Sequence, residues 1–305
     1  MGLPPVLPDL DLVLEFGHPQ ERRMQVVSFI NMKGGVGKTT LTVNVACGLA
    51  YLHRKKVLLV DADPQFNATQ YLMEDDAYLA HVNDPNKGTL RDIFVPNRSG
   101  PVNTVSGTSK SVNKKKMPLS ACTTSIFDGG DGRGKLDLIP STLALMEIET
   151  SKRGTETKLK SYLKEKALGY DYVLIDCPPT ISIFSQAAIL ASDKYLVPVK
   201  PDPLSVIGLP LLEHWLEEFT DDAGMTIESV GLVFSMVRGN VPRRMTEVME
   251  DLRNERGDEV FSALLSESID VSTSVEEHLP VFRYKPNSKT AAQIESITKE
   301  FLART

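Results

Sequence analysis

The chain has 305 residues, 41% of them hydrophobic, which is enough for a sizeable core in one large α/β domain or two small ones. A formal net charge of −6 excludes a generally basic surface, so any nucleic-acid contact has to come from a local patch. Three cysteines without C-x-x-C spacing fit a reducing cytoplasm, and the absence of any apolar run near 20 residues or of a basic-then-apolar start argues against a membrane span or signal peptide.

In chain order, residues 1–23 are a proline-rich extension with a short apolar run from Leu10 to Phe16, expected to pack on the domain or serve as a small docking segment. A single domain is expected over 24–305. Val26 to Ile30 is an apolar run of strand type, and Leu41, Val45, Leu49 and Leu52 recur at helical spacing. Between them lies Asn31-Met32-Lys33-Gly34-Gly35-Val36-Gly37-Lys38-Thr39-Thr40, a strand–glycine loop–helix phosphate cradle. Lys38 would reach the β- and γ-phosphates of a nucleotide, and Thr39 would set its hydroxyl on Mg²⁺. Met32 stands where the usual pattern has glycine, and a second lysine, Lys33, follows it.

Lys56 to Val60 reads as a strand buried on both faces, and it ends in Asp61-Ala62-Asp63-Pro64-Gln65. Ligands of open α/β sheets sit beyond the carboxyl ends of strands, which brings these acids beside the phosphate loop, although both could simply cap the next helix. Residues 83–134 read as a flexible insertion, with helical turns at Gly88 to Phe94 and Pro118 to Phe127 and a basic run, Lys114 to Lys116. Further strands are expected from Leu136, from Tyr172 to Asp176, from Tyr195 to Val199 and from Ile227 to Ser235, with helices at Leu143 to Leu168, broken near Gly154, and at Leu204 to Phe219. Asp176, at a strand end before Cys177-Pro178-Pro179, is placed to hold a Mg²⁺-bound water. Arg238, Arg243 and Arg244 follow the last strand, but Glu247, Glu250 and Asp251 come at once, so a solvated helix face competes with a phosphate contact. Arg283, Lys285 and Lys289 could complete a patch in three dimensions.

The lysine-bearing loop, the Asp-x-Asp-Pro-Gln segment, Leu136 to Ser141 and the closing Pro-Val and Pro-x-Ser-Lys segments resemble the ParA/MinD family of deviant phosphate-loop ATPases, most nearly the Soj-like ParA partition ATPases. The resemblance runs from about Met24 to Leu302. It implies a doubly wound α/β fold, a mostly parallel sheet with helices on both faces, and an ATP-hydrolysing enzyme that uses Mg²⁺. It implies that Lys33, Gly34, Gly35, Val36, Gly37, Lys38, Thr39 and Thr40 cradle ATP, with Pro201 and Asp202 near the base. It implies that Lys33 reaches a partner subunit's nucleotide, that Asp63 orients the attacking water, and that Asp61 lies nearer Thr39 in the metal shell beside Asp176. It further implies an ATP-dependent homodimer on nonspecific double-stranded DNA through Arg238, Arg243, Arg244, Arg283 and Lys285, a ParB-type activator, and a cytoplasmic, nucleoid-associated protein. The alternative is a MinD-like ATPase that cycles on a membrane, for which the last helix lacks a basic amphipathic face.

Overall fold

A computed structural model describes residues 24–95, 117–132, 134–148 and 154–305. Seven strands form one sheet: β1 (Gln25–Phe29), β2 (Lys56–Asp61), β3 (Thr124–Asp128), β4 (Lys135–Ile139), β5 (Tyr172–Asp176), β6 (Lys194–Val199) and β7 (Glu228–Phe234). Their spatial order is β3-β4-β2-β5-β1-β6-β7, parallel throughout except for the antiparallel β3–β4 pair. Alternate residues of one strand enter two cores. Val57 and Leu59 pack under the helices Lys38–Tyr51 and Lys289–Arg304, whereas Leu58 and Val60 face the opposite layer with Phe94, Leu163, Phe184 and Leu212. Both faces of β2 are therefore apolar, as a strand covered by helices on either side requires.

Helix Lys38–Tyr51 connects β1 to β2, which lies beyond β5, and later the chain crosses to the other side of β1 to lay down β6 and β7. The winding direction thus reverses at β1, and the crevice at the carboxyl ends of β1, β5 and β2 is the place where an open α/β sheet binds ligands. The closing helix lies tightly on the first: a Cβ built on Gly48 would sit 2.6 Å from Thr298 Oγ1, so only glycine permits that approach.

Two expectations change. Pro118 to Phe127 holds a single helical turn, Leu119–Cys122, after which Thr124–Asp128 adds an antiparallel edge strand with a register shift between Ser125 and Phe127. The strand gains what a helix there would not: Phe127 stacks on Tyr51 at 3.7 Å between ring centroids. The ends of the 83–134 insertion are accordingly built into the domain, through helix Leu90–Phe94 on one side and β3 on the other. Leu143 to Leu168 is a 3₁₀ turn, Leu143–Ile148, then 3₁₀ and α-helix from Thr155 to Lys166, with Gly154 at φ +92° where the break was expected. The extension 1–23 and the Lys114 to Lys116 run lie outside the described residues.

Candidate nucleotide site

The loop after β1 is shaped by its own polar groups. Asn31 Nδ2 donates to the Pro198 carbonyl at 2.8 Å, and Asn31 Oδ1 accepts the Lys33 amide at 2.8 Å. This pins the turn against β6. Gly35 and Gly37 take φ of +71° and +79°, a conformation that disfavours any side chain, and Ser235 Oγ donates to the Val36 carbonyl. Gly37 opens helix Lys38–Tyr51 with no side-chain cap, so the amides of the first turn face the crevice with the positive end of the helix dipole. The crevice is an open cleft of about 420 Å³, of a size for a small-molecule ligand. Gly34, Gly35, Gly37, Lys38, Thr39 and Thr40 line it, with Asp63, Gln65, Asn67, Gln70, Tyr71, Pro179, Met236 and Val275. Val36 instead turns inward and is fully buried.

Charge is concentrated where these elements meet. Lys38 is buried, and its Nζ donates to the Lys33 carbonyl at 2.9 Å. Burial lowers its pKa, opposed by the nearby carboxylates of Asp176 and Asp63. Asp176, buried at the end of β5, accepts from Thr39 Oγ1 at 2.7 Å and from Thr42 Oγ1 at 3.2 Å. Burial pushes its pKa up to about 7 despite the Thr39 hydrogen bond. Asp61 stands beside it in register on β2, and burial together with the Asp176 charge raises its carboxyl well above the usual range.

The two strand-end acids hold different partners: Asp176 takes the Thr39 hydroxyl, and Asp61 stands beside it in register. Asp61 Oδ2 accepts the amide and the hydroxyl of Thr69, at 2.8 and 2.7 Å, and Oδ1 accepts the Asp63 amide at 3.2 Å. Thr69 sits in the first turn of helix Asn67–Leu72, whose own N-cap residue, Phe66, offers no side-chain acceptor, so Asp61 satisfies an amide the helix leaves open. The capping reading thus applies to Asp61 and not to Asp63. Asp63 Oδ1 accepts the Gln65 amide at 2.9 Å, Ser141 Oγ donates to its carbonyl at 2.7 Å, and its side chain lines the cleft. Burial raises its pKa, offset by the Gln65 amide and Lys38.

Neither Pro201 nor Asp202, expected near the base, lines this cleft. Asp202 caps helix Pro203–Asp222 by accepting the Ser205 amide at 2.9 Å, and it holds Lys33, whose Nζ donates to its two oxygens at 2.7 and 3.0 Å and to Ser205 Oγ at 3.0 Å. Burial, which would raise the Asp202 pKa, is outweighed by these donors, and the carboxyl falls below its ordinary value. The two loop lysines therefore face different ways, Lys38 onto the cradle and Lys33 away from it.

Sequence reasoning missed the walls supplied by Met236, Tyr71 and Val275. Met236 lies two residues past β7 and adopts φ +54°, with its Cγ 3.4 Å from a Cβ built on Gly37. Its position just past a strand's carboxyl end was the available signal. Tyr71 is fixed by Ser274 Oγ at 2.7 Å and Asn44 Nδ2 at 3.0 Å, contacts that span 203 and 27 residues.

Three of the five basic residues expected to hold DNA are paired with acids. Arg238 Nε lies 3.6 Å from Glu267, Lys285 pairs with Asp270 at 2.8 Å, and Arg243 pairs with Glu247 at 2.9 Å. Arg244 is exposed beside Arg243 at the start of helix Arg243–Arg256. Arg283 lies over the Tyr51 ring, at the end of the first helix remote from the phosphate loop, about 20 Å away by the helix rise. All three cysteines are buried thiols, and burial pushes Cys177 up to about 12, so it is not poised as a nucleophile.

A sequence model of the AAA domain family matches residues 24–228. The chain is 30% identical over 282 residues to the virulence plasmid ParA family protein pGP5-D of Chlamydia psittaci, spanning 91% of this chain and 94% of that one. It is 28% identical over 284 residues to the sporulation initiation inhibitor protein Soj of Bacillus subtilis, spanning 92% and 98%. Among solved structures, a plasmid partition protein of Borrelia burgdorferi bound to AMPPNP superposes with a TM-score of 0.71 at 22% identity, over 93% of this chain and all of that one. A McdA–ATP complex from Cyanothece gives 0.72 at 20% identity, over 92% and 96%. These two structures share the fold.

Proposed function

The chain belongs to the ParA family of deviant phosphate-loop ATPases, and from that premise we propose that it is a cargo-positioning switch that dimerises on ATP, binds nonspecific DNA as the dimer, and lets go on hydrolysis. The observation that carries this reading is the division of labour between the two loop lysines. Lys38 belongs to the cradle of its own subunit, whereas Lys33 is tied to Asp202 and Ser205 on the cradle's outer side. A cation placed there serves a site that is completed from outside. In the dimer Lys33 leaves Asp202 and enters the partner's cleft, where it meets charge developing on the transferred phosphoryl group, the role of an arginine finger.

Within one subunit, the glycine amides and Lys38 hold the β- and γ-phosphates. The Asp63 carboxylate, fixed by the Gln65 amide at the cleft wall, accepts a hydrogen bond from water and aims it at the γ-phosphate. The oxygen-only donor set of Thr39, Asp176 and Asp61 suits Mg²⁺, with the two carboxylates acting through bound water. Bound there, Mg²⁺ supplies neutralisation of phosphate charge. Placing two carboxylates with raised pKa side by side is unfavourable without a cation, which supports that assignment.

The DNA contact is assigned to Arg238, Arg243 and Arg244, which follow β7 and Met236 at the cleft end of the sheet, with Lys285 and Arg283 as further contributors. A ParB-type protein is the proposed activator, and the ATP-bound dimer is proposed to reside on the nucleoid in the cytoplasm. The membrane-cycling alternative is not favoured, because the apolar face of Lys289–Arg304 is spent on helix Lys38–Tyr51. The deciding experiment measures binding to an arbitrary duplex with ATP, ADP or no nucleotide. Binding confined to the ATP state is expected, and Arg243→Glu with Arg244→Glu should weaken it equally on unrelated sequences, lowering the slope of log affinity against log salt by about 0.9 per lost phosphate contact. Binding that ignores nucleotide would refute the switch.

A further inference from the structure

Two open clefts lie at the amino ends of the strands, opposite the phosphate loop. One, of about 890 Å³, runs between helix Lys158–Lys166 and the starts of β1 and β5. The other, of about 530 Å³, continues to the starts of β6 and β7. Both are lined by Met24, Lys160, Ala191 and Asp193, so together they make one groove. Leu163 is buried beneath it, and Leu168 stands on its wall, 77% exposed and not needed for the core. Charge divides the groove. Lys160 and Lys164, one turn apart on the helix, are exposed, and among the described residues neither is paired with an acid. On the strand side, Asp171 and Asp193 hold the amides of Lys56 and Val26.

The chain itself supplies a segment that fits. Met24 lines both clefts, so the extension 1–23 joins the domain at the groove. Eight residues before Met24 ends the run Asp9-Leu10-Asp11-Leu12-Val13-Leu14-Glu15-Phe16. Leu10, Leu12, Leu14 and Phe16 recur at period two, so an extended chain puts all four on one face and Asp9, Asp11 and Glu15 on the other. Eight extended residues span up to about 26 Å, whereas the nine residues of helix Lys158–Lys166 rise only about 14 Å, so the tether reaches the whole wall. The charges match in the same order. Arg22 and Arg23 adjoin Met24, on whose side Asp193 lies, and the run farther out carries three acids and no base to meet Lys160 and Lys164. We propose that residues 10–16 dock in this groove of their own chain, with the apolar face on Leu163 and Leu168 and the acids toward the two lysines. No residue of the nucleotide cleft lines the groove, so the docking leaves that cleft open and does not depend on the switch proposed above.

The test is hydrogen exchange of the full chain, read by mass spectrometry. Amides of residues 10–16 are expected to exchange about 10-fold or more slowly than the coil rate of the same sequence. Lys160→Glu with Lys164→Glu, both at exposed positions, should return them to the coil rate, and adding Asp9→Lys with Asp11→Lys should restore the slowing. A second measurement leaves the lysines alone. Leu168→Cys should react slowly with a maleimide, and about 10-fold faster once Leu12→Asp and Leu14→Asp are added, the three native cysteines being buried. Coil-rate exchange in the parental chain, with Leu168→Cys labelled equally fast in both backgrounds, would overturn the docking. Slowing that ignores the lysine substitutions, again with equal labelling, would put the segment elsewhere and overturn the groove assignment. Slowing that grows with protein concentration would make the occupant another copy's segment and overturn docking within one chain.

Discussion

Aspartates close strands at both ends of this sheet, and the two sets behave differently. At the amino ends, Asp171 Oδ2 accepts the Lys56 amide at 2.8 Å and Asp193 Oδ2 accepts the Val26 amide at 3.0 Å. Both carboxylates stay partly open to solvent and tie amides at the starts of β2 and β1. At the carboxyl ends, Asp61, Asp63 and Asp176 are buried around one buried lysine, and each has its pKa raised by burial. The first arrangement stabilises the fold at little cost. The second opposes folding, the pattern expected where carboxylates serve a site and not the fold. The same residue type is thus structural or chemical according to which end of a parallel strand it occupies.

Substitutions can break or sharpen this contrast. The largest effect is expected for Lys33→Ala, which should bind ATP yet lose about 10³-fold in turnover if the lysine matches a charged finger. That equals about 4 kcal/mol of transition-state stabilisation. Mixed with Asp63→Ala chains, which keep Lys33, turnover at the Lys33→Ala subunit's site should return; heterodimers without rescue would place Lys33 in its own site. Next, Asp63→Ala should retain ATP affinity while phosphate release falls by about 10²-fold, the scale of a lost positioning carboxylate. Turnover at the parental rate would reduce Asp63 to a structural carboxylate like Asp171.

Stability gives the next step down. Asp61, ordinary value 3.8, has its folded pKa raised, so its contribution is fully present below about pH 4 and is lost as pH rises through the folded value. Asp61→Asn should therefore raise the melting temperature of the nucleotide-free chain, more at pH 8 than at pH 5, by about 2–4 °C for each kcal/mol recovered. A lower melting temperature at both values would mean that the Thr69 hydrogen bonds outweigh the buried charge. Asp202→Asn keeps an N-cap acceptor but weakens the hold on Lys33. The pair is about one-third exposed on the lysine side, so its worth is at most about 1 kcal/mol, and basal turnover should rise by no more than about 5-fold. Smallest of all, Asp171→Asn still accepts the Lys56 amide, and calorimetry should find stability within about 0.5 kcal/mol of the parent with turnover unchanged.

Much of the site was legible because it is written in local pattern. The loop from Asn31 to Thr40 is contiguous, its glycines and lysines are fixed by what a phosphate cradle needs, and the acids at Asp61, Asp63 and Asp176 directly follow apolar runs that can only be buried strands. Strand-to-loop adjacency puts all of them at one end of a parallel sheet. Tertiary structure alone decided the rest. The Lys33–Asp202 pair joins residues 169 apart, and the different partners of Asp61 and Asp176 depend on which neighbouring helix offers its hydroxyl. The edge strand Thr124–Asp128 exists because β4 had a free side and Tyr51 a free ring face, neither of which a seven-residue window records. The apolar stripe at Leu204, Ile207 and Leu211 reads in sequence as ordinary helix core, and only the packing of Leu209, Leu212 and Leu216 against the sheet shows which face of that helix was left outside. A sequence states which residues are apolar, but the choice of face belongs to the neighbours that cover one side and not the other.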